Sequence, residues 1–397
     1  MLTEVSAQGE RGRPNLMNGM GSARATRSIS AAQFALAIAA GYLALGMFHF
    51  PRELVIDAGP EALWAFLLDC GAALVGLWLW FRVNRLTPDE PVGASVHRYL
   101  TPVAGYPLNA VTVVVHLALA VLVLANFSWV MVTFFLPNTP AWAIATAILA
   151  TALYMAWFDT PVLGRVLQSS FVPAVILSVS FGLLLLGKIT DAYALVPVLP
   201  LHVSPILQAA YHSSYIFWGY EITLTLYPFV REGHRRQAER YAYAMMGLTF
   251  LFYLFGYFLT VGVEGPDLMR QLIFPPVSVM RLVDVTAFVI NKLGLLIVVF
   301  WGLFVLSFES LRIWCVVHDI MALTHLKTMT QYRALALVLG VLVLILSTQF
   351  PNVDAVVFFG QAYMVPTMLL YNFGVPPLLL LVAVLRRRVW RRVVATP

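Results

Sequence analysis

The chain is a succession of apolar runs broken by short segments that carry most of its charge. Most of the runs reach the roughly 20 residues that let a helix cross the hydrocarbon core of a bilayer. They are continuous rather than alternating, which selects helices over the period-two strands of a membrane barrel. Charged residues make up 11% of the chain and the mean hydropathy is +0.83. A soluble protein carries about a quarter charged residues. The sequence therefore describes an all-α membrane protein. Two cysteines, Cys70 and Cys315, sit in or beside apolar runs and imply neither a disulfide framework nor a metal motif.

Ten runs fit this pattern: Ile29–Pro51, Glu61–Phe81, Leu108–Leu136, Ala141–Phe158, Val166–Gly187, Pro205–Val230, Ala238–Val263, Val285–Leu311, Ala334–Phe350 and Val353–Leu385. The charges test this count independently. With the N-terminus inside, all but five of the 25 lysines and arginines fall in cytoplasmic segments. The five are Arg52, Lys188, Arg270, Arg281 and Lys292, and a wrong count would scramble the alternation. Residues 1–28, rich in Gly, Ser, Asn and Arg, read as a disordered cytoplasmic tail. Residues 29–385 form the ten-helix transmembrane domain, and 386–397 a basic cytoplasmic C-terminal tail. The net charge of +6 sorts by membrane side rather than gathering on one surface, so no nucleic acid is expected as a partner.

Ten spans divide into five and five. Because five is odd, the second set enters the membrane from the opposite face, which is the arithmetic of an inverted repeat. Span 1 then corresponds to span 6, and both carry helix-breaking features. Span 1 reads GYLALGMFHFPREL, with Gly41 and Gly46 ahead of His49, Pro51 and Arg52. Span 6 reads SSYIFWGYEITLTLYP, with Gly219 and then Glu221. Interrupted segments at matching positions of two halves point to a binding site near the bilayer midplane, and an ionisable side chain at that depth is a functional candidate.

Broken helices expose backbone N–H groups at one half-helix start and C=O groups at the other's end. The first suits a carboxylate and the second an ammonium group, so two such breaks side by side suit a zwitterion such as an amino acid. Leu45, Gly46, Met47 and Phe48 are expected to supply amides. Ser214, Phe217, Trp218 and Gly219 are expected to supply carbonyls and one wall. Glu221 could hold a proton, meet a ligand amine or latch a gate. Phe48, Tyr215, Trp218 and Tyr220 would shape an apolar pocket. The opposing reading is a helix kinked for packing, with these aromatics as core and Glu221 bonded to a neighbour.

Other polar residues invite plainer readings. Asn109, His116, Asn126 and Ser128 lie in span 3, and His116 reads as a packing histidine. Lys292 can snorkel to the interface. Glu309 and Arg312 form an i, i+3 pair near the inner end of span 8 and read as structural. His318 and His325 fall in a cytoplasmic linker, and neither Asp69 nor Asp159 has a visible partner. No HExxH, GxSxG or GxxxxGK[ST] occurs, so no enzyme and no cofactor is expected.

The FWGYE segment in a broken sixth span, with a glycine break in the first, resembles the amino acid–polyamine–organocation superfamily. Within it the chain is more similar to the spore-germination permease-like family, the B-type subunits of nutrient germinant receptors. The matching positions begin with Ile29, Ser30, Gln33 and Phe34, then Gly46, Pro51 and Arg52, then Trp64. They continue with Gly219, Glu221, Pro228 and Phe229, the stretch FPPVSVMRLVDV, and Trp301. The likeness covers about residues 27 to 390. It implies a LeuT-type fold and a protein that senses a nutrient, an amino acid foremost, between spans 1 and 6. It further implies residence in the inner spore membrane, with an A-type membrane subunit and a C-type lipoprotein as partners. The sparse glycine at the span 1 break suits a sensor better than a transporter; the alternative is an autonomous amino-acid transporter coupled to protons through Glu221.

Overall fold

The structure, a computed structural model, describes residues 28–46, 49–89, 102–158, 160–190, 202–282, 294–324, 326 and 328–394. Among the expectations above, those for Met47, Phe48, Asp159, Lys292, His325 and the tail up to residue 27 lie outside these residues.

The described chain is helical throughout. The first helix, α1 (Ala31–Gly46), starts at a capping box. The Ser30 hydroxyl accepts from the Gln33 N–H at 3.2 Å, and the Ser30 N–H donates to Gln33 Oε1 at 3.0 Å. The Ser-x-x-Gln of the family motif is thus a helix start. After residues 47–48 come α2 (Phe50–Ala58), a 3-10 turn at Gly59–Glu61, and α3 (Ala62–Asn84). Then follow α4 (Pro102–Phe134), α5 (Ala141–Ala156) and α6 (Thr160–Leu185). The next segment begins as α7 (Val203–Ser213) and passes through 3-10 turns at Ser214–Phe217 and Tyr220–Ile222. It ends as the single turn α8 (Thr223–Leu226) and a 3-10 turn at Tyr227–Phe229. Beyond it lie α9 (Arg235–Gln271), kinked at Gly265-Pro266 where Gly265 has φ of 72°, and α10 (Pro275–Arg281). The last elements are α11 (Gly294–Thr324), α12 (Met329–Ser347), α13 (Val353–Phe359), a π turn at Gly360–Met364, and α14 (Val365–Val394).

Seven helical stretches among the described residues are long and apolar enough to cross a bilayer, and α1 and α5 are shorter apolar helices. Burial is inverted relative to a soluble protein. Leu370, Tyr154 and Phe358 are 72%, 67% and 65% exposed, whereas Glu221, Glu309 and Arg312 are at most 1% exposed. The outward apolar surface is what lipid wets; the charges are held inside against one another. α1 and α11 lie at the centre: α1 packs on α9 and α11, and α11 also packs on α4, α5 and α6.

Several boundaries differ from the sequence expectation, and three of them bear on the site or the tail. Pro51 does not end the first span; it sits in the first turn of α2, where its missing N–H is harmless. The eighth span does not stop at Leu311. α11 runs on to Thr324, so Glu309 and Arg312 are mid-helix and His318 is helical rather than in a linker. The apolar sequence IWCVVHDIMALT continues past Arg312, and an ion pair removes the reason for the helix to end at a charge. The last helix continues past Leu385 to Val394.

Candidate functional site

The two interrupted segments meet at glycines. Gly219 has φ of 150°, which L-residues avoid. A Cβ there would lie 2.9 Å from the Gly41 carbonyl carbon, so α1 and the span 6 turn touch backbone to backbone. A Cβ on Gly46 would lie 2.8 Å from the Ile216 Cα, and one on Gly76 would overlap the Tyr220 hydroxyl. The carbonyl end of α1 is closed from outside: Tyr253 donates to the Tyr42 carbonyl at 2.8 Å and Trp301 to that of Ala44 at 3.4 Å. These satisfy groups that a helix end leaves without intrahelical partners.

The expected ligand residues divide between three places. Leu45, Tyr215 and Trp218 line a cleft of about 510 Å3, its mouth included. Gly46, Gly219 and Tyr220 are packed in the interface just described. Phe217 turns away into a cluster with Phe250 and Tyr253, at ring-centroid distances of 4.8 and 5.6 Å. The Ser214 hydroxyl donates back to the Tyr211 carbonyl at 2.9 Å. Leu45 and Gly46 lie in the last turn of α1, where N–H groups point back along the helix. The N–H end of this segment is the start of α2 at Phe50.

Sequence reasoning missed most of the cleft's polar lining. His49 and Glu53 come from the start of α2, Asn126 from α4, and Gln361 from the π turn. The His49 Nε2–H donates to Asn126 Oδ1 at 3.1 Å, since a side-chain amide oxygen only accepts. Arg52 lies 3.5 Å from Glu53. The Tyr215 hydroxyl and Gln361 Oε1 are buried without a hydrogen-bond partner among the described residues. Gln361 spends its amide N–H on the His212 carbonyl at 3.0 Å, which turns its oxygen elsewhere. π turns recur at functional sites because the widened backbone re-aims a side chain. A lone glutamine in an apolar run was the only signal available. Next to the cleft, carboxylate–histidine pairs staple the α2–α3 connection to α7: Asp57–His212 at 2.6 Å and Glu61–His202 at 2.9 Å.

Glu221 does not line the cleft. Its Oε2 accepts from the Gly219 N–H at 2.8 Å, and its Oε1 lies 2.5 Å from Arg312 Nη2. Arg312 Nη1 lies 2.6 Å from His116 Nδ1. A guanidinium only donates, so that nitrogen accepts and the His116 ring is neutral. The guanidinium also lies over the Phe308 ring, 4.7 Å from its centroid. Nearby, Thr225 donates to Asp319 at 2.9 Å, and Tyr371 to Thr112 at 3.0 Å. Asp69 has a partner after all, the Ser213 hydroxyl at 2.5 Å. His318 stacks on Trp314, with ring centroids 3.9 Å apart.

A helical bundle with an outward apolar surface and an inward polar centre is the architecture of an integral membrane protein. Comparison of folds agrees. MhsT in complex with L-phenylalanine superposes with a TM-score of 0.57 over 86% of this chain and 89% of its own, at 13% identity. A mutant of the Eremococcus coleocola manganese transporter gives 0.53 over 83% and 75%, at 11% identity. These are LeuT-fold proteins, and likeness at such low identity concerns the fold alone. The family follows from the sequence: the model for "Spore germination protein" matches residues 28–353, and the chain belongs to that spore permease family. Spore germination protein YndE of Bacillus subtilis (strain 168) is 23% identical over 365 residues, 90% of this chain and 96% of its own. Spore germination protein GerQB of Bacillus cereus is 20% identical over 273 residues, 68% of this chain and 74% of its own.

Proposed function

We propose that this protein is the nutrient-sensing, permease-like subunit of a spore germinant receptor. In this reading it spans the inner spore membrane ten times as a 5+5 inverted repeat, with both termini cytoplasmic and spans 1 and 6 discontinuous. It binds a small neutral amino acid in the cleft and signals through an A-type membrane subunit and a C-type lipoprotein, without catalysing a reaction. The observation that carries the binding site is the pair of unpartnered polar atoms, the Tyr215 hydroxyl and Gln361 Oε1, in a cleft walled by Leu45 and Trp218 and lined also by His49, Glu53 and Asn126. Buried polar groups without partners are uncommon, and a ligand supplying the complementary groups accounts for them. MhsT, a fold neighbour, is itself in complex with L-phenylalanine, which supports an amino acid as the ligand. A second reading, an autonomous proton-coupled amino-acid transporter, is favoured by the transporter among the fold neighbours.

The test is binding and uptake of labelled amino acids by proteoliposomes holding the protein alone. Binding without flux, abolished when Leu45→Trp fills the cleft, supports the sensor. Saturable flux driven by a proton gradient would replace it with the transporter. Normal germination of spores lacking the gene, with no paralogue to compensate, would remove the germination role.

A further inference from the structure

Glu309 is a buried acid that the cleft does not use. It is fully buried on α11, and neither of its carboxyl oxygens has a hydrogen-bond partner among the described residues. Arg312 lies one turn further along, close enough for an i, i+3 contact, but its guanidinium is committed to Glu221 and His116. Glu221 Oε2 accepts from the Gly219 N–H, and its Oε1 lies at ion-pair distance from Arg312 without a hydrogen bond of good geometry, whereas Glu309 has neither. One guanidinium thus stands between two buried carboxyl groups, and only one of them is served.

An ionised carboxylate stripped of water and donors costs several kcal/mol; a neutral acid avoids most of this. A lone buried carboxyl group without a paired cation is neutralised by its own proton. Among the described residues no ion pair to Glu309 occurs. The titratable residues on the elements packed against this stretch are His116 from α4, Tyr42 from α1 and Glu221 from the turn before α8; α4 also carries Tyr106, which is exposed, and α10 carries Arg281. α5 and α6 carry only Tyr154 and Arg165, both exposed, and α8 carries none. α12 brings Tyr332 and Arg333; Arg333 stacks on Trp157 and Tyr332 lies beside His318. On α11 itself Cys315 and Asp319 follow, and Asp319 is bonded by Thr225.

We infer that Glu309 is a protonation site and that Arg312 is a switch serving Glu221 and Glu309 by turns. While the Gly219 turn holds Glu221 against Arg312, Glu309 keeps its proton. When span 6 rearranges and withdraws Glu221, Arg312 turns to Glu309, and the proton of Glu309 passes to Glu221, which has lost its cation. Movement of the interrupted segment is thereby tied to transfer of one proton from Glu309 to Glu221. The inference rests on the buried ion pair and not on the nutrient cleft, so either can fail alone.

The experiment is infrared spectroscopy of the full chain in detergent, reading the carbonyl stretch of protonated carboxylic acids and its displacement in D2O. Wild type is expected to show a component that Glu309→Gln removes, with the thermal midpoint kept because a neutral amide replaces a neutral acid. Glu221→Gln is expected to remove the same component, since the freed Arg312 ionises Glu309. Arg312→Gln, which leaves no cation, is expected to retain it even if the protein is less stable. No change in Glu309→Gln would overturn the protonation site. Persistence of the component in Glu221→Gln would overturn the switch.

Discussion

The cleft beside α2 and the knot around Arg312 are built from the same interrupted segments, yet they treat polar groups in opposite ways. In the cleft, Tyr215 and Gln361 leave a hydroxyl and an amide oxygen without partners, and Glu53 has only a loose contact with Arg52. In the knot, the Gly219 N–H, Glu221, Arg312 and His116 form an open run of contacts between 2.5 and 2.8 Å, held by one ion pair and ending at His116 Nε2, which has no partner among the described residues. The cleft's open polar groups are where the proposed ligand would bind, and the knot joins two distant segments through one ion pair. The difference teaches that an ionisable residue at a helix break need not line the neighbouring cleft. Glu221, the most conspicuous residue in the sequence, faces Arg312 and the Gly219 N–H instead.

The largest effect should come from cutting the knot. Arg312→Leu leaves Glu221 buried without its cation and is expected to cost roughly 3–5 kcal/mol, read as a lower thermal midpoint in detergent. Glu221→Leu in the same chain should restore much of it. A fully additive double variant would show that the two are not coupled. Next in size is the glycine contact. Gly219→Ala combines a positive φ with a Cβ 2.9 Å from the Gly41 carbonyl carbon, and should destabilise by about 1–3 kcal/mol. Unchanged stability would mean that the backbones are not in contact. The cleft should respond the other way. Tyr215→Phe removes an unpartnered buried hydroxyl and is expected to leave stability within roughly 1 kcal/mol while weakening nutrient binding several-fold. Loss of stability there would move Tyr215 from the binding side of the comparison to the structural one. The smallest effect is expected at the capping box, where Ser30→Ala should cost about 1 kcal/mol and leave binding untouched.

Much of this architecture is written in local pattern. Apolar run length identifies the membrane-crossing helices, Ser30 and Gln33 mark the start of α1, and Gly219 marks the turn where the chain leaves helical geometry. The pairing of Arg312 is not legible, because its two partners are 91 and 196 residues away in sequence and only the fold joins them. A nearby Glu309 at i−3 offered a local partner that the packing does not use. Gln361 was hidden for a different reason: a π turn leaves no compositional trace, and one extra residue per turn changes which way every following side chain points.

Ile29 exchanges backbone hydrogen bonds with the far end of the sixth segment, its N–H to the Phe229 carbonyl at 2.9 Å and its carbonyl to the Arg231 N–H at 3.2 Å. Mechanically this is a rivet between the first and sixth segments. A force applied ahead of Ile29 would therefore reach both the stretch that holds Gly219 and Glu221 and α1 at once.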